Sequence, residues 1–114
     1  MGKRIGVISD THGLLREEAR TKLEGCDLIL HAGDVGDPAV LEDLRRIAEV
    51  VAVRGNMDHG LWSVDLALTE HVTVEDRQIH VVHNIETLDL DPAAAGIDVV
   101  VYGHSHKPAV DWKD

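Results

Sequence analysis

The first half of the chain alternates between short apolar runs and amphipathic stretches. The runs are rich in Val, Ile and Leu and have the length of strands covered on both faces, whereas the stretches between them carry apolar residues at helical spacing. This β-α-β-α-β order predicts a parallel sheet in which the polar turns after the strands gather along one edge. The predicted strands are residues 4–9, 28–30 and 50–53, and the predicted helices run from Leu15 to Gly25 and from the N-cap Asp37 to near Glu49.

The pattern of apolar and polar positions changes after Gly60. Residues 72–74 and 78–82 alternate apolar and polar positions on either side of a tight turn, which predicts a β-hairpin. Further along, the sequence predicts a short helix at residues 91–95, a buried strand at residues 98–102 and a strand that begins near Ala109.

Polar residues that can bind a metal ion follow strand after strand. Because neighbouring parallel strands end at the same edge of a sheet, these carboxylate, amide and imidazole groups are expected in one small volume. Mixed oxygen and nitrogen ligands suit Mn²⁺, Fe or Zn²⁺ better than Ca²⁺, and the absence of a thiolate partner argues against a structural zinc site. The candidate ligands are Asp10, His12, Asp34, Asn56, His83, His104 and His106.

Two metal ions fit this group of side chains better than one. Seven candidate ligands exceed what one tetrahedral or octahedral ion needs from a protein. Two cations about 3.5 to 4 Å apart need a shared ligand, and a carboxylate can give one oxygen to each. Asp34 follows the expected middle strand and is therefore predicted to bridge the two ions.

Five blocks in this order resemble the successive motifs of the calcineurin-like metallophosphoesterases. The resemblance is to the small bacterial and archaeal phosphodiesterases that are similar to the retromer subunit of the same fold. It extends from residue 5 to residue 108. The blocks are Asp10-x-His12, Gly33-Asp34, Gly55-Asn56-x-Asp58, His83 and Gly103-His104-Ser105-His106.

The resemblance implies an α/β fold in which a β-sandwich is flanked by helices in α-β-β-α layers. It implies a single domain over residues 1–114 that is short at its C-terminal end, because the family continues with further strands. It also divides the ligands between two ions. One ion is held by Asp10, His12, Asp34 and His106, and the other by Asp34, Asn56, His83 and His104.

The function implied by the resemblance is hydrolysis of a small phosphoester, with a phosphodiester expected. Family members commonly use manganese, and Fe, Ni, Zn or Mg are the other metals considered. A pair of such ions polarises phosphoryl oxygens and activates a water for in-line attack on phosphorus. The alternative is a non-catalytic scaffold that keeps the fold and binds metal or protein. A nucleotide-binding domain is disfavoured because no glycine-rich phosphate loop follows the first strand.

Other polar residues near the motifs have alternative roles. Many phosphatases of the superfamily have a proton-donating histidine directly after the Asn, where this chain has Met57. His59 is either a substitute proton donor or an ordinary loop residue. Asp58 either orients a ligand or caps a turn, and Arg54 either meets substrate phosphate or is solvated. His31 is expected to pack or to form hydrogen bonds in the strand that leads to Asp34.

Composition limits the remaining possibilities. The net charge of −10 argues against an extended nucleic-acid surface or an anionic membrane as partner. Neither a transmembrane stretch nor a secretory leader is recognisable, so a cytoplasmic location is expected. The single cysteine, Cys26, is expected in the core. A strand with Val110 and Trp112 at an open sheet edge suggests a homo-oligomer.

Overall fold

The computed structural model describes residues 4–84 and 96–103 and the backbone of residues 109–112. Two sheets pack face to face, and helices cover the outer face of the first sheet. The strands are β1 Ile5–Ile8, β2 Leu28–His31, β3 Glu49–Ala52, β4 Thr69–Val74, β5 Arg77–Val82, β6 Val99–Tyr102 and β7 Ala109–Trp112. The helices are α1 Glu17–Leu23, α2 Pro38–Arg45 and a 3₁₀ helix, Leu61–Asp65.

The first sheet has the order β1-β2-β3 and is parallel throughout, as the alternating pattern predicts. The central strand β2 is buried at every residue. The prediction that β1 and β3 are covered on both faces is confirmed, because each strand has some side chains packed in the sandwich and others packed under the helices. Both strands lie at sheet edges, and their residues are therefore mostly half-buried. Helix α2 ends at Arg45 rather than near Glu49, since Glu49 pairs with Leu28 as the first residue of β3. Its predicted start is confirmed, because the Asp37 carboxylate accepts the Ala39 N–H at 2.8 Å.

The second sheet has the order β4-β5-β6-β7. The predicted hairpin is confirmed: β4 and β5 are antiparallel, and Val74 pairs with Arg77 across the turn residues Glu75 and Asp76. Both turn residues have positive φ, 47° and 72°, as a tight two-residue hairpin turn requires. Strand β6 is parallel to β5, so these two strands end at the same edge of the sheet, and β7 pairs with β6 in the antiparallel sense.

The side chains of β2 point alternately to the two faces of the sheet and so belong to two separate layers of the core. Leu28 and Leu30 point into the sandwich, where they join side chains of β5 and β6. Ile29 points the other way and packs with Leu41 and Leu44 of α2. The sandwich implied by the resemblance is therefore confirmed. Cys26 packs in the layer under the helices, as expected.

The outer face of the second sheet carries a smaller apolar cluster of Val82, Ile97 and Val100. The helix predicted at residues 91–95 falls outside the described residues. In the described parts of the chain, the helices are too short and too polar to cross a membrane.

Candidate metal centre

The loops after β1 and β2 run side by side and are joined through their backbones. The Asp10 N–H donates to the Gly33 carbonyl at 2.9 Å, and the His12 N–H donates to the Asp34 carbonyl at 3.0 Å. Asp10, His12 and Asp34 all have left-handed backbones, with φ of 55°, 50° and 58°. Side-chain-bearing residues rarely adopt this conformation, and such residues concentrate at functional sites. Three of them at the carboxyl edge of one sheet mark this edge as the candidate site.

Asp34 is buried at the end of the central strand, with 3% of its surface exposed. Its Oδ1 accepts the Met57 N–H at 2.9 Å, and its Oδ2 lies 3.4 Å from Nε2 of His83. Gly55 makes this arrangement possible, because a Cβ there would collide with the carboxylate and the backbone N of Asp34. The loop after β3 thus fixes the direction of the Asp34 carboxylate.

His83 follows β5 in the second sheet and reaches the first sheet. Its Nδ1 donates to the Ala32 carbonyl at 2.7 Å, which in a neutral ring leaves the lone pair on Nε2. That Nε2 lies 3.0 Å from Oδ1 of Asn56 and close to Oδ2 of Asp34. Three acceptor atoms from three different strand ends therefore converge. Carboxylate oxygen, amide oxygen and imidazole nitrogen are ligand types that divalent transition metals bind, so this group of atoms fits a metal ion.

Asp10 and His12 complete the described part of the site. Ligand atoms of Asp10, Asp34 and His83 all lie within 4.8 Å of one another. The exposed His12 places Nε2 4.0 Å from Oδ1 of Asp10. Gly103 at the end of β6 packs against Asp10, where a Cβ would lie 2.9 Å from Oδ2. The structure thus brings five of the seven predicted ligands together, and His104 and His106 lie outside the described residues.

Asp58 holds the loops and points to no ligand among the described residues. Its Oδ2 accepts the Gly55 N–H at 2.8 Å, and its Oδ1 accepts the Gly36 N–H at 2.9 Å. Of the two roles considered for Asp58, the geometry shows the turn cap, which here also joins the loops after β2 and β3. His59 is exposed in this turn.

Two cavities flank the candidate ligands. The larger, about 670 Å³, adjoins Asn56 and His83. Its wall includes the guanidinium-bearing Arg54, with Leu68, Thr69, Val82 and Asn84. The smaller, about 420 Å³, lies on the other side and is lined by Asp10, His12, Leu14 and Arg16 among others.

His31 lies beneath this site and is fully buried. Burial lowers the pKa of His31 to about 4, against opposing contributions from the Asp58 and Asp10 carboxylates, so the ring is neutral near pH 7. The ring forms hydrogen bonds, as the sequence suggests. The alternation along β2 contained a signal for this burial, because His31 is two residues after Ile29 and shares its helix-facing side.

Comparisons with known proteins identify the family and the fold of the chain. The family description "Calcineurin-like phosphoesterase superfamily domain" matches residues 4–114. A probable metallophosphoesterase of Methanocaldococcus jannaschii is 37% identical over an alignment of 120 positions, which covers 94% of this chain and 60% of that protein. The chain thus spans three fifths of that relative.

Solved structures share the fold. Vps29 of Cryptosporidium parvum superposes with a TM-score of 0.80 at 22% identity, over 99% of this chain and 70% of that one. The E. coli phosphoesterase YfcE superposes with a TM-score of 0.65 at 27% identity, over 90% of this chain and 69% of that one.

Proposed function

The chain belongs to the calcineurin-like phosphoesterase superfamily, and we propose that it is a metal-dependent phosphoesterase with its centre at Asp34. The observation that carries this proposal is the convergence of Asp34 Oδ2, His83 Nε2 and Asn56 Oδ1. Each atom comes from a different strand end, and Asp10 adds a carboxylate oxygen within 4.8 Å of the ligand atoms of Asp34 and His83. Such a set is suited to divalent cations and not to an organic cofactor.

The proposed centre contains two divalent ions, most suitably Mn²⁺, with Fe, Ni, Zn or Mg as alternatives. Asp34 is the proposed bridge between the ligand set Asp10, His12 and His106 and the ligand set Asn56, His83 and His104. Its place on the central strand supports this role, since ligands from β1 lie on one side and those from β3 on the other. When bound, the ions supply positive charge to phosphoryl oxygens and lower the pKa of a water.

The chain's own residues prepare the ligands for this chemistry. The Met57 N–H holds one oxygen of Asp34 and so fixes the orientation of the other. The Ala32 carbonyl accepts from Nδ1 and so fixes the orientation and the tautomer of the His83 ring. Both supports are backbone groups, so they persist through side-chain variation. The ligands are thus held in a binding geometry before substrate enters.

We propose a phosphodiester as the substrate. The cavity beside Asn56 and His83 has room for the second ester substituent, and its wall combines apolar side chains with Arg54. In a chain of net charge −10, this guanidinium is a local attraction for the single negative charge of a diester. The exposed side chain of Met57 offers no proton, which favours substrates with good leaving groups.

A non-catalytic scaffold is the second candidate. Leu61, Val64 and Leu68 are exposed by 90%, 65% and 63% on and next to the 3₁₀ helix. Leu68 also lines the cavity beside the proposed centre, so a partner bound to these side chains would restrict access for a substrate. Apolar residues exposed close together are typical of protein-binding surfaces.

Hydrolysis of bis(p-nitrophenyl) phosphate with added Mn²⁺ separates the two candidates. The Asp34→Asn variant keeps an acceptor for the Met57 N–H and tolerates the left-handed backbone, but loses the charge. We expect it to lower kcat/KM by at least about a hundredfold. Asp43→Asn, on the surface of α2, is the matched control and should retain wild-type activity. Wild-type turnover no greater than that of Asp34→Asn would exclude the enzyme. Higher kcat/KM for p-nitrophenyl phosphate would exclude the diester preference.

A further inference from the structure

The buried ring of His31 connects the loops that follow β1 and β2. Its Nδ1 lies 3.1 Å from the Gly33 N, and its Nε2 lies 3.0 Å from Oγ1 of Thr11. The Thr11 hydroxyl in turn donates to the Val35 carbonyl at 2.8 Å. None of the proposed ligand sets uses His31 or Thr11.

These hydrogen bonds have only one consistent direction. The Gly33 N–H is a donor, so Nδ1 of His31 must accept and the ring hydrogen must be on Nε2. That hydrogen is donated to Thr11 Oγ1, whose own hydrogen goes to Val35. The chain of hydrogen bonds therefore runs from Gly33 through His31 and Thr11 to Val35, with every donor matched to an acceptor.

The members of this chain are the immediate neighbours of proposed metal ligands. Thr11 stands between Asp10 and His12, while Gly33 and Val35 stand on either side of Asp34. The three ligands have the left-handed backbones described above. Such conformations persist only where the surroundings hold them.

We propose that His31 and Thr11 are positioning residues, which hold the loops of Asp10 and Asp34 at metal-binding distance before an ion binds. The inference rests on the proposed metal centre. The direct backbone hydrogen bonds between the loops would also hold them, so the side chains must contribute beyond these bonds. A hydrogen bond from His31 can contribute in this way, because the residue is buried at the end of the central strand β2. Its ring is therefore a fixed point to which the loops are attached.

Calorimetric titration of the metal-free protein with Mn²⁺ tests this role without using activity. Thr11→Val keeps the shape of the side chain but removes both hydrogen bonds, and we expect it to weaken binding about tenfold or more. Thr11→Ser restores the hydroxyl and should stay within about threefold of wild type. Thr73→Val removes a hydroxyl on the exposed side of β4 and should leave binding unchanged. Circular dichroism establishes that each variant is folded.

Folded Thr11→Val that binds Mn²⁺ as tightly as wild type would overturn the inference and leave the proposed function standing. Wild type that binds Mn²⁺ but hydrolyses no phosphoester would refute the proposed function and leave the inference standing. Failure of wild type to bind Mn²⁺ would overturn both.

A second measurement needs no variant and therefore tests the hydrogen bonds on which the inference depends even if Thr11→Val does not fold. Long-range ¹H–¹⁵N NMR spectra of the wild type report which ring nitrogen of His31 carries the hydrogen. The inference requires that the ring hydrogen is on Nε2 both in the metal-free protein and in protein loaded with Mg²⁺ instead of Mn²⁺. Hydrogen on Nδ1 would contradict it.

Discussion

The Nε2 atom of His83, at the end of the second sheet, lies 3.4 Å from Oδ2 of Asp34, at the end of the first. The two side chains are 6% and 4% exposed, so the contact closes the sandwich at its carboxyl edge. An imidazole nitrogen and a carboxylate oxygen held this close form a pair that one divalent cation can bind. This relationship connects the packing of the fold to its proposed chemistry.

Removal of the His83 imidazole should weaken metal binding more than any loss of stability explains. In His83→Gln the side chain no longer places an imidazole nitrogen beside Asp34, and we expect Mn²⁺ affinity to fall by at least about tenfold. Calorimetric titration of the folded variant measures this. His71→Gln is the control, because His71 is exposed on β4 and pairs with Gln78. Equal affinities for the two variants would show that His83 is not a ligand.

Gly33 should be intolerant of a side chain. A Cβ there would lie 2.6 Å from Nδ1 of His83, and the backbone φ of +101° adds strain for any other residue. We expect Gly33→Ala to lower the free energy of unfolding by roughly 2 to 4 kcal/mol. Gly96→Ala is the control, since φ there is +76° but a Cβ would meet nothing within 4 Å. Its cost should be about 1 kcal/mol. Urea unfolding compares them, and equal losses would contradict the close contact with His83.

The Asp58 carboxylate should stabilise the loops through both of its oxygens. In Asp58→Asn one oxygen becomes an NH₂ group, which faces either the Gly36 or the Gly55 N–H and leaves that donor without an acceptor. We expect a loss of about 1 to 3 kcal/mol in urea unfolding. Asp37→Asn is the matched control, because Asn is as good an N-cap as Asp at this exposed helix start. A loss no larger than the control's would exclude the double hydrogen bond.

Stability should depend on pH through His31. Burial lowers the pKa of His31 from its ordinary value of 6.5 to about 4 in the folded protein. Above pH 6.5 the ring is neutral in the folded and in the unfolded state, and its full contribution to the free energy of unfolding is present. As the pH falls from 6.5 towards 4, His31 binds a proton in the unfolded chain but stays neutral in the folded protein. The free energy of unfolding therefore falls by about 1.4 kcal/mol per pH unit, roughly 3 kcal/mol in all.

Urea unfolding of the metal-free wild type and of His31→Gln checks this dependence. Gln does not titrate, so the stability difference between the two proteins should shrink steadily between about pH 6.5 and about pH 4. Carboxylates that titrate in the same range affect both proteins alike. A difference that stays constant across this range would mean that the His31 pKa is not lowered.

Local signals predict much of the first sheet. The apolar run at residues 28–30 is sufficient to predict β2, and Asp37 followed by proline is sufficient to predict the start of α2. The exposure of β1 and β3 is not predictable in this way, because it depends on which strand lies in the middle. Glu49 shows the same limit. Its pairing with Leu28, which no local pattern contains, makes it the first residue of β3 instead of a helix end.

The expectation that neighbouring strands end at the same edge of a sheet also predicts which residues gather at the candidate site. It places Asp10, Asp34 and His83 at one edge, and the structure brings their ligand atoms within 4.8 Å. Their role as ligands stays a prediction. The partners of His31 and Asp58 could not be predicted, because each bonds to backbone or hydroxyl groups that every loop contains. Only the distances in the folded structure show which of these groups become the partners.

Anomalous scattering from crystals grown with Mn²⁺, recorded at the manganese absorption edge, tests the central claim most directly. The proposed centre predicts two peaks about 3.5 to 4 Å apart that both contact the Asp34 carboxylate. One peak lies beside Asp10 and His12, and the other beside Asn56 and His83. A single peak, or peaks that do not contact Asp34, would contradict a metal pair bridged by this residue.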